Sequence, residues 1–134
     1  MSLDIFSAYA TDKNLENNGT WFDLGSGARV LVARAGNKAY SKMLSKLAQE
    51  NQLTLDKDDE QAEAKAEELL ILVMAQTILL GWEGITYKSD EDMPYSVDNA
   101  KMLLAHGDFR KDIAGFADDF NAYKAKVEDK QGKA

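Results

Sequence analysis

The stretch Leu69 to Leu80, LLILVMAQTILL, constrains this chain more than any other. It is 12 residues long and is interrupted only by Gln76 and Thr77. A membrane span needs about 20 apolar residues, so the run is too short to cross a bilayer. A helix that is apolar on every side belongs inside a protein. The run therefore reads as the buried end of a long central helix, with Leu72 and Ile78 as core positions. Asp58, Asp59, Glu60 and Glu63 open that helix, where acids suit the positive end of the dipole, and Gly81 and Gly84 close it.

The rest of the chain must wall this helix in. With 134 residues, 45% of them apolar, it can do so as one domain, 1–134. Residues 1–18 carry an apolar patch (Leu3, Ile5, Phe6, Tyr9) and a brief helix capped by Ser2. Residues 19–35 read as a hairpin, Trp21–Leu24 pairing with Val30–Ala33 across Gly25-Ser26-Gly27. Residues 37–129 form the helical core. Asn37 caps its first helix, with Tyr40, Met43, Leu44 and Leu47 on one face, and Glu50 to Asp56 connects to the central helix. A polar, acidic loop holding Pro94, the sole proline, precedes a short helix capped by Ser96, with Val97, Ala100, Leu103 and Leu104 on one side. His106-Gly107 ends it and Asp108 caps the last helix. There Phe109, Ile113, Phe116, Phe120, Tyr123 and Val127 recur at spacings of 4, 3, 4, 3 and 4. Residues 130–134 are a polar, frayed tail. The expected fold is mainly α with a small N-terminal β-hairpin (α+β), in a single compact domain.

Composition removes most chemistry. The chain has no cysteine, hence no disulfide, thiolate metal site or cysteine nucleophile. A catalytic role for its single histidine, His106, would need an adjacent nucleophile or carboxylate that nothing in the sequence singles out. A net charge of -7 repels phosphate backbones and anionic lipid, so neither nucleic acid nor membrane is an expected partner. Asp4, with no basic cluster ahead of an apolar block, argues against a secretory signal. Gly25-Ser26-Gly27 is too short to cradle phosphate. Asp56, Asp58 and Glu60 alternate like calcium ligands and Glu67 falls where the bidentate carboxylate would, but Gln61 stands where the sharp turn needs glycine. Ser89-Asp90-Glu91-Asp92 reads as solvated loop. Adjacent carboxylates such as Glu67-Glu68 and Asp118-Asp119 diverge on a helix. No catalytic, cofactor-binding or metal residue is expected, and the chain does not read as an enzyme. The aromatic stripe Phe109, Ile113, Phe116, Phe120, Tyr123 is either core or a partner-binding face.

Certain marks recur in order along the second part of the chain. They are Ala35-Gly36-Asn37 with Tyr40, then Leu80-Gly81-Trp82-Glu83-Gly84-Ile85. Pro94-Tyr95-Ser96, Asn99-Ala100 and Leu103-Leu104 follow, and Phe109, Ile113, Ala117-Asp118 and Phe120 complete the set. In these the sequence resembles the tail assembly chaperones of long-tailed bacteriophages, from about Ala33 to Val127. It departs from the pattern in the loop before Pro94, where the family often has Asp-Gly and this chain has Ser89-Asp90-Glu91-Asp92-Met93. The resemblance implies a protein of the bacterial host cytoplasm, absent from the mature virion. It would bind the tape measure protein, and with it the tail tube protein, before the tube polymerises. It implies no cofactor and allows a weak homo-oligomer. Two other readings stay open: an acidic nucleic-acid mimic that inhibits a host DNA-binding protein, and a structural tail component such as a tail terminator.

Chaperones of this kind are often made in two lengths by a programmed frameshift near the end of the short frame. Gln131-Gly132-Lys133 can be spelled CAG GGA AAG, which contains the slippery run G GGA AAG. The expectation is that spelling, with an open frame continuing in the −1 register. Reading the gene checks it, and CAA GGC AAA would remove this support.

Overall fold

The computed structural model describes residues 2–50 and 60–125. In chain order its elements are α1 (Ile5–Ala8), α2 (Lys13–Asn18), β1 (Thr20–Gly25), β2 (Ala28–Val32), α3 (Lys38–Glu50), α4 (Glu60–Thr77), β3 (Leu79–Glu83), α5 (Val97–Leu104) and α6 (Gly107–Ala117). A 3-10 turn follows at Phe120–Tyr123. The class is the expected α+β with an N-terminal hairpin, but the hairpin is two-thirds of a sheet rather than the whole of it.

β1 and β2 pair antiparallel, with Trp21 opposite Leu31 and Phe22 opposite Val30. The loop is Ser26-Gly27, both at positive φ (55° and 81°), as a two-residue hairpin loop of the primed type requires. β3 then pairs antiparallel with β2, placing Val30 opposite Trp82 and Arg29 opposite Glu83. A register shift between Leu31 and Val32 spans Leu79 to Gly81, so Leu80 is the extra residue of a bulge.

β3 corrects the sequence reading. The central helix stops at Thr77, and Gly81 lies in the sheet opposite Leu31 rather than ending a helix. Two forces end it early. The Thr77 hydroxyl donates back to the Val73 carbonyl (2.7 Å), competing with the helical ladder. The exposed flank of β2 also needs backbone partners, and Leu79–Glu83 supply them. Gly84 makes the exit possible. It has φ +77°, and a Cβ there would lie 2.6 Å from the Gly27 carbonyl oxygen.

Other boundaries shift for equally local reasons. Asp4, not Ser2, caps α1, accepting from the Phe6 amide (3.1 Å) and the Ser7 hydroxyl (2.7 Å). α6 starts at Gly107, with His106 at its cap and Asp108 in its first turn. α6 also ends at Ala117, so the aromatic stripe is not one helix. Asp119 accepts from the Asn121 amide (3.1 Å) and starts the 3-10 turn. The expected opening at Asp58, the connection up to Asp56, the Asp56–Asp58 part of the calcium comparison, Val127 and the tail lie outside the described residues.

The core forms between the sheet and α4, α5 and α6. Val30, Val32, Met74, Ile78, Leu79, Trp82, Leu104 and Ile113 are buried in one cluster. Leu72 is half-buried. Asn37 is a buried polar group just before α3. Its Oδ1 caps α3 through the Tyr40 amide (2.9 Å), and its Nδ2 donates to the carbonyls of Arg34 (2.8 Å) and Thr77 (3.0 Å). Asn37→Ala removes a cap and strands a buried carbonyl, so thermal or urea unfolding should show a loss of about 2–4 kcal/mol. Ile78→Ala should lose about 2–5 kcal/mol by the same measurement.

Candidate functional site

The five stripe residues part company in the structure. Ile113 and Tyr123 are fully buried, so neither presents a side chain to a partner in this state. The Tyr123 hydroxyl donates to the Val32 carbonyl (2.8 Å), and burial pushes its ionisation far upward. Phe116 stacks on Phe22 (4.6 Å between centroids, 13° between planes), joining α6 to β1. Phe109 packs partly buried against the core. Phe120 meets the Tyr9 ring at 5.6 Å, with Arg34 and Lys124 over it at 5.7 and 5.6 Å. The stripe thus holds α6 and the 3-10 turn on the body, and only Phe109, Phe116 and Phe120 keep part of their surface outside. The heptad reading placed these residues together but could not see the break after Ala117.

The exposed apolar surface lies elsewhere. Leu3, Ile5, Phe6 and Tyr9 all stand out on and around α1, which buries none of its own residues. Phe6 is 91% exposed. The arm is rooted by main-chain bonds from the Asp12 amide to the Tyr123 carbonyl (2.8 Å) and from the Ala125 amide to the Ala10 carbonyl (3.0 Å). A second apolar feature is a groove of about 190 Å³ between α3 and α4, floored by Leu47, Leu69 and Val73. Leu44 and Leu70 stand 43% and 41% exposed at its mouth. α3 buries no residue completely, although Tyr40, Met43, Leu44 and Leu47 give it an apolar face. The periodicity of α3 announced that face, and the apolar patch was legible in residues 3–9. That both remain uncovered depends on packing and could not be read from the sequence. A third exposed group lies on the outer face of the sheet. There the Arg29 guanidinium covers the Trp21 ring at 4.0 Å and pairs with Glu83 at 2.9 Å.

Some of the charged groups pair with each other. Glu67 pairs with Arg110 (3.0 Å), and Glu16 pairs with both Lys13 (3.2 Å) and Arg34. Among the described residues no three His, Asp or Glu side chains are grouped to hold a metal ion, and no helix is long and apolar enough to cross a membrane. His106 is exposed at the α6 cap and makes no side-chain capping bond.

Glu16 joins α2 to the end of β2. Burial opposes its charge, but hydrogen bonds from Arg34, Lys13 and Thr11 outweigh it and hold its carboxyl below the ordinary value of 4.5. The unfolded chain therefore binds more protons just below that value. Stability from this group is present above about pH 4.5 and is lost as pH falls through the folded pKa. Acid titration of unfolding should show a shallower loss of stability for Glu16→Gln than for the wild type in this window.

Comparison with known proteins adds one finding. No curated protein and no solved structure matches the chain. A family model described as YdaY prophage protein matches residues 35–134, which include α3, α4, β3, α5 and α6. That is most of the chain, and the protein belongs to the YdaY prophage protein family.

Proposed function

We propose that this prophage protein is a tail assembly chaperone that holds the tape measure protein, and the tail tube protein with it, until the tube polymerises. The observation that carries the reading is how the resemblance marks meet in space. The Trp82 indole donates to the Met93 carbonyl (2.7 Å) and meets the Tyr95 ring edge-on at 5.0 Å. The Tyr95 hydroxyl reaches the Leu79 carbonyl (2.8 Å). Ser96 caps α5 through the Asn99 amide (3.0 Å), and the Asn99 side chain donates to the Pro94 carbonyl (2.8 Å). Residues scattered over 18 positions, Trp82 to Asn99, thus lock one helix–strand–loop–helix unit together. They specify a fold and perform no chemistry. The family's prophage origin is consistent with this reading.

The mechanism is protection rather than catalysis. A long amphipathic client exposes apolar surface until tube subunits cover it. A chaperone that shields it must let go, so each contact is modest and many copies on one client supply the avidity. Such a protein works in the host cytoplasm, needs no cofactor and leaves before the virion matures. The exposed apolar side chains of α1 and of the α3–α4 groove suit that task. The acids are spread along several helices and interleaved with lysines, whereas a nucleic-acid mimic needs them in a dense stripe.

Co-expression with the tape measure protein encoded nearby should give a complex that co-purifies and tolerates salt, and purified virions should lack this chain. A chain present in virions would identify a structural component instead. Capture of a host DNA-binding enzyme that is released steeply by salt would identify a mimic.

A further inference from the structure

We propose that α3 docks an acidic amphipathic helix of a partner protein, its carboxylates pairing with Lys38, Lys42 and Lys46 and its apolar side chains entering the cleft beside them. The charges of α3 run against the rule that the other long helices obey. A helix is stabilised by acids at its start and by bases at its end. α2, α4, α5 and α6 each carry an acid in the first turn. α3 has no acid there and no base in its last turn; it opens on Lys38 and ends on Glu50. Lys38, Lys42 and Lys46 also follow one another at steps of four, so each repels the next along one side of the helix. All three are exposed. Lys13, Arg29, Arg34, Lys65 and Arg110 pair with acids elsewhere, whereas these three pair with none among the described residues. In a chain with 23 acids and a net charge of -7, a row of cations left without acids is a local conflict that an anionic partner resolves.

The cleft says what kind of anion this is. It measures about 430 Å³ and is lined by Ala39, Lys42, Met43 and Lys46 of α3 and by Gln76 and Thr77 of α4. It lies on the other flank of α3 from the groove at Leu44 and Leu70. Ala39 and Met43 offer apolar contact beside the two lysines. A phosphate backbone or a lipid headgroup has nothing to place there, and the net negative charge of the chain repels both. A helix with Asp or Glu at every fourth residue presents carboxylates about 6 Å apart, which is the rise between the lysines, with apolar residues alongside. Glu50 lines the far end of the cleft and repels acid, so the acidic stretch is short. This partner is additional to the client proposed above and does not depend on it, because its hold is ionic and fades with salt.

The test titrates the full chain into a labelled synthetic peptide that repeats Glu-Ala-Ala-Leu over about four turns, followed by fluorescence anisotropy. Binding should appear below about 1 mM at low salt and weaken when salt is raised to about 0.5 M. Amide NMR shifts should centre on Ala39, Lys42, Met43 and Lys46. Combining Lys42→Gln with Lys46→Gln should weaken binding about tenfold. Circular dichroism should stay unchanged, because both side chains are exposed. Lys101→Gln, at an exposed position on α5, should bind like the wild type. Lys38→Glu should weaken binding yet raise the midpoint of thermal unfolding, since it puts an acid at the start of α3. No binding up to about 1 mM would overturn the proposal. So would equal binding of a Gln-Ala-Ala-Leu repeat, or a double variant that binds like the wild type. Inorganic polyphosphate held by the same lysines more tightly than the peptide would also overturn it, and would assign the stripe to phosphate.

Discussion

Everything in this fold answers to the carboxyl end of the central helix. α4 enters the core and stops there, and a helix that ends inside a protein leaves carbonyls that water cannot reach. Three separate parts of the chain contribute donors. The Tyr95 hydroxyl takes the Ala75 carbonyl (3.2 Å) and the Leu79 carbonyl (2.8 Å). The Asn37 side chain takes that of Thr77 (3.0 Å), and the Ala33 amide takes that of Ile78 (2.8 Å). The donors come from the end of β2, the start of α3 and the approach to α5. Satisfying one helix end therefore fixes how the sheet, α3 and α5 meet. A second layer follows at the chain exit from β2, where the Ala35 amide binds the Ala117 carbonyl (2.8 Å) and brings in α6.

How much of this was legible depends on whether the deciding force is local. The hairpin was legible because Gly25 and Gly27 carry their own instruction: residues that accept positive φ, between runs that favour strands. The Asn37 and Ser96 caps were legible for the same reason. β3 was not. Leu79-Leu80-Gly81 continues an apolar helical run, and only the unpaired side of β2, about 50 residues earlier, turns it into a strand. The stripe from Phe109 to Tyr123 was legible as a set of apolar positions. The break after Ala117 was signalled faintly by Asp119, whose side chain competes for a backbone amide. The exposure of Phe6 and of the groove was illegible, because an apolar side chain is left over only after all the others have packed.

Function follows the same division. The residues that gave the chain its resemblance to tail chaperones turn out to be those that build the helix–strand–loop–helix unit, Trp82, Tyr95, Ser96 and Asn99. They identify a scaffold. The surfaces able to act, α1 and the groove, are defined by what the scaffold leaves uncovered, and neither depends on a titrating or nucleophilic group.

The central claim is that the α4 terminus is the joint through which the fold closes. Native-state hydrogen exchange tests it most directly. The Ala33 amide, bonded to Ile78, reports on that joint, and the Ala35 amide, bonded to Ala117, reports on the layer that follows it. The account predicts that both exchange only through global unfolding, with the same denaturant dependence as the amides of Val30, Val73 and Ile113. Exchange of Ala33 through a local opening that leaves α4 and β2 protected would contradict it.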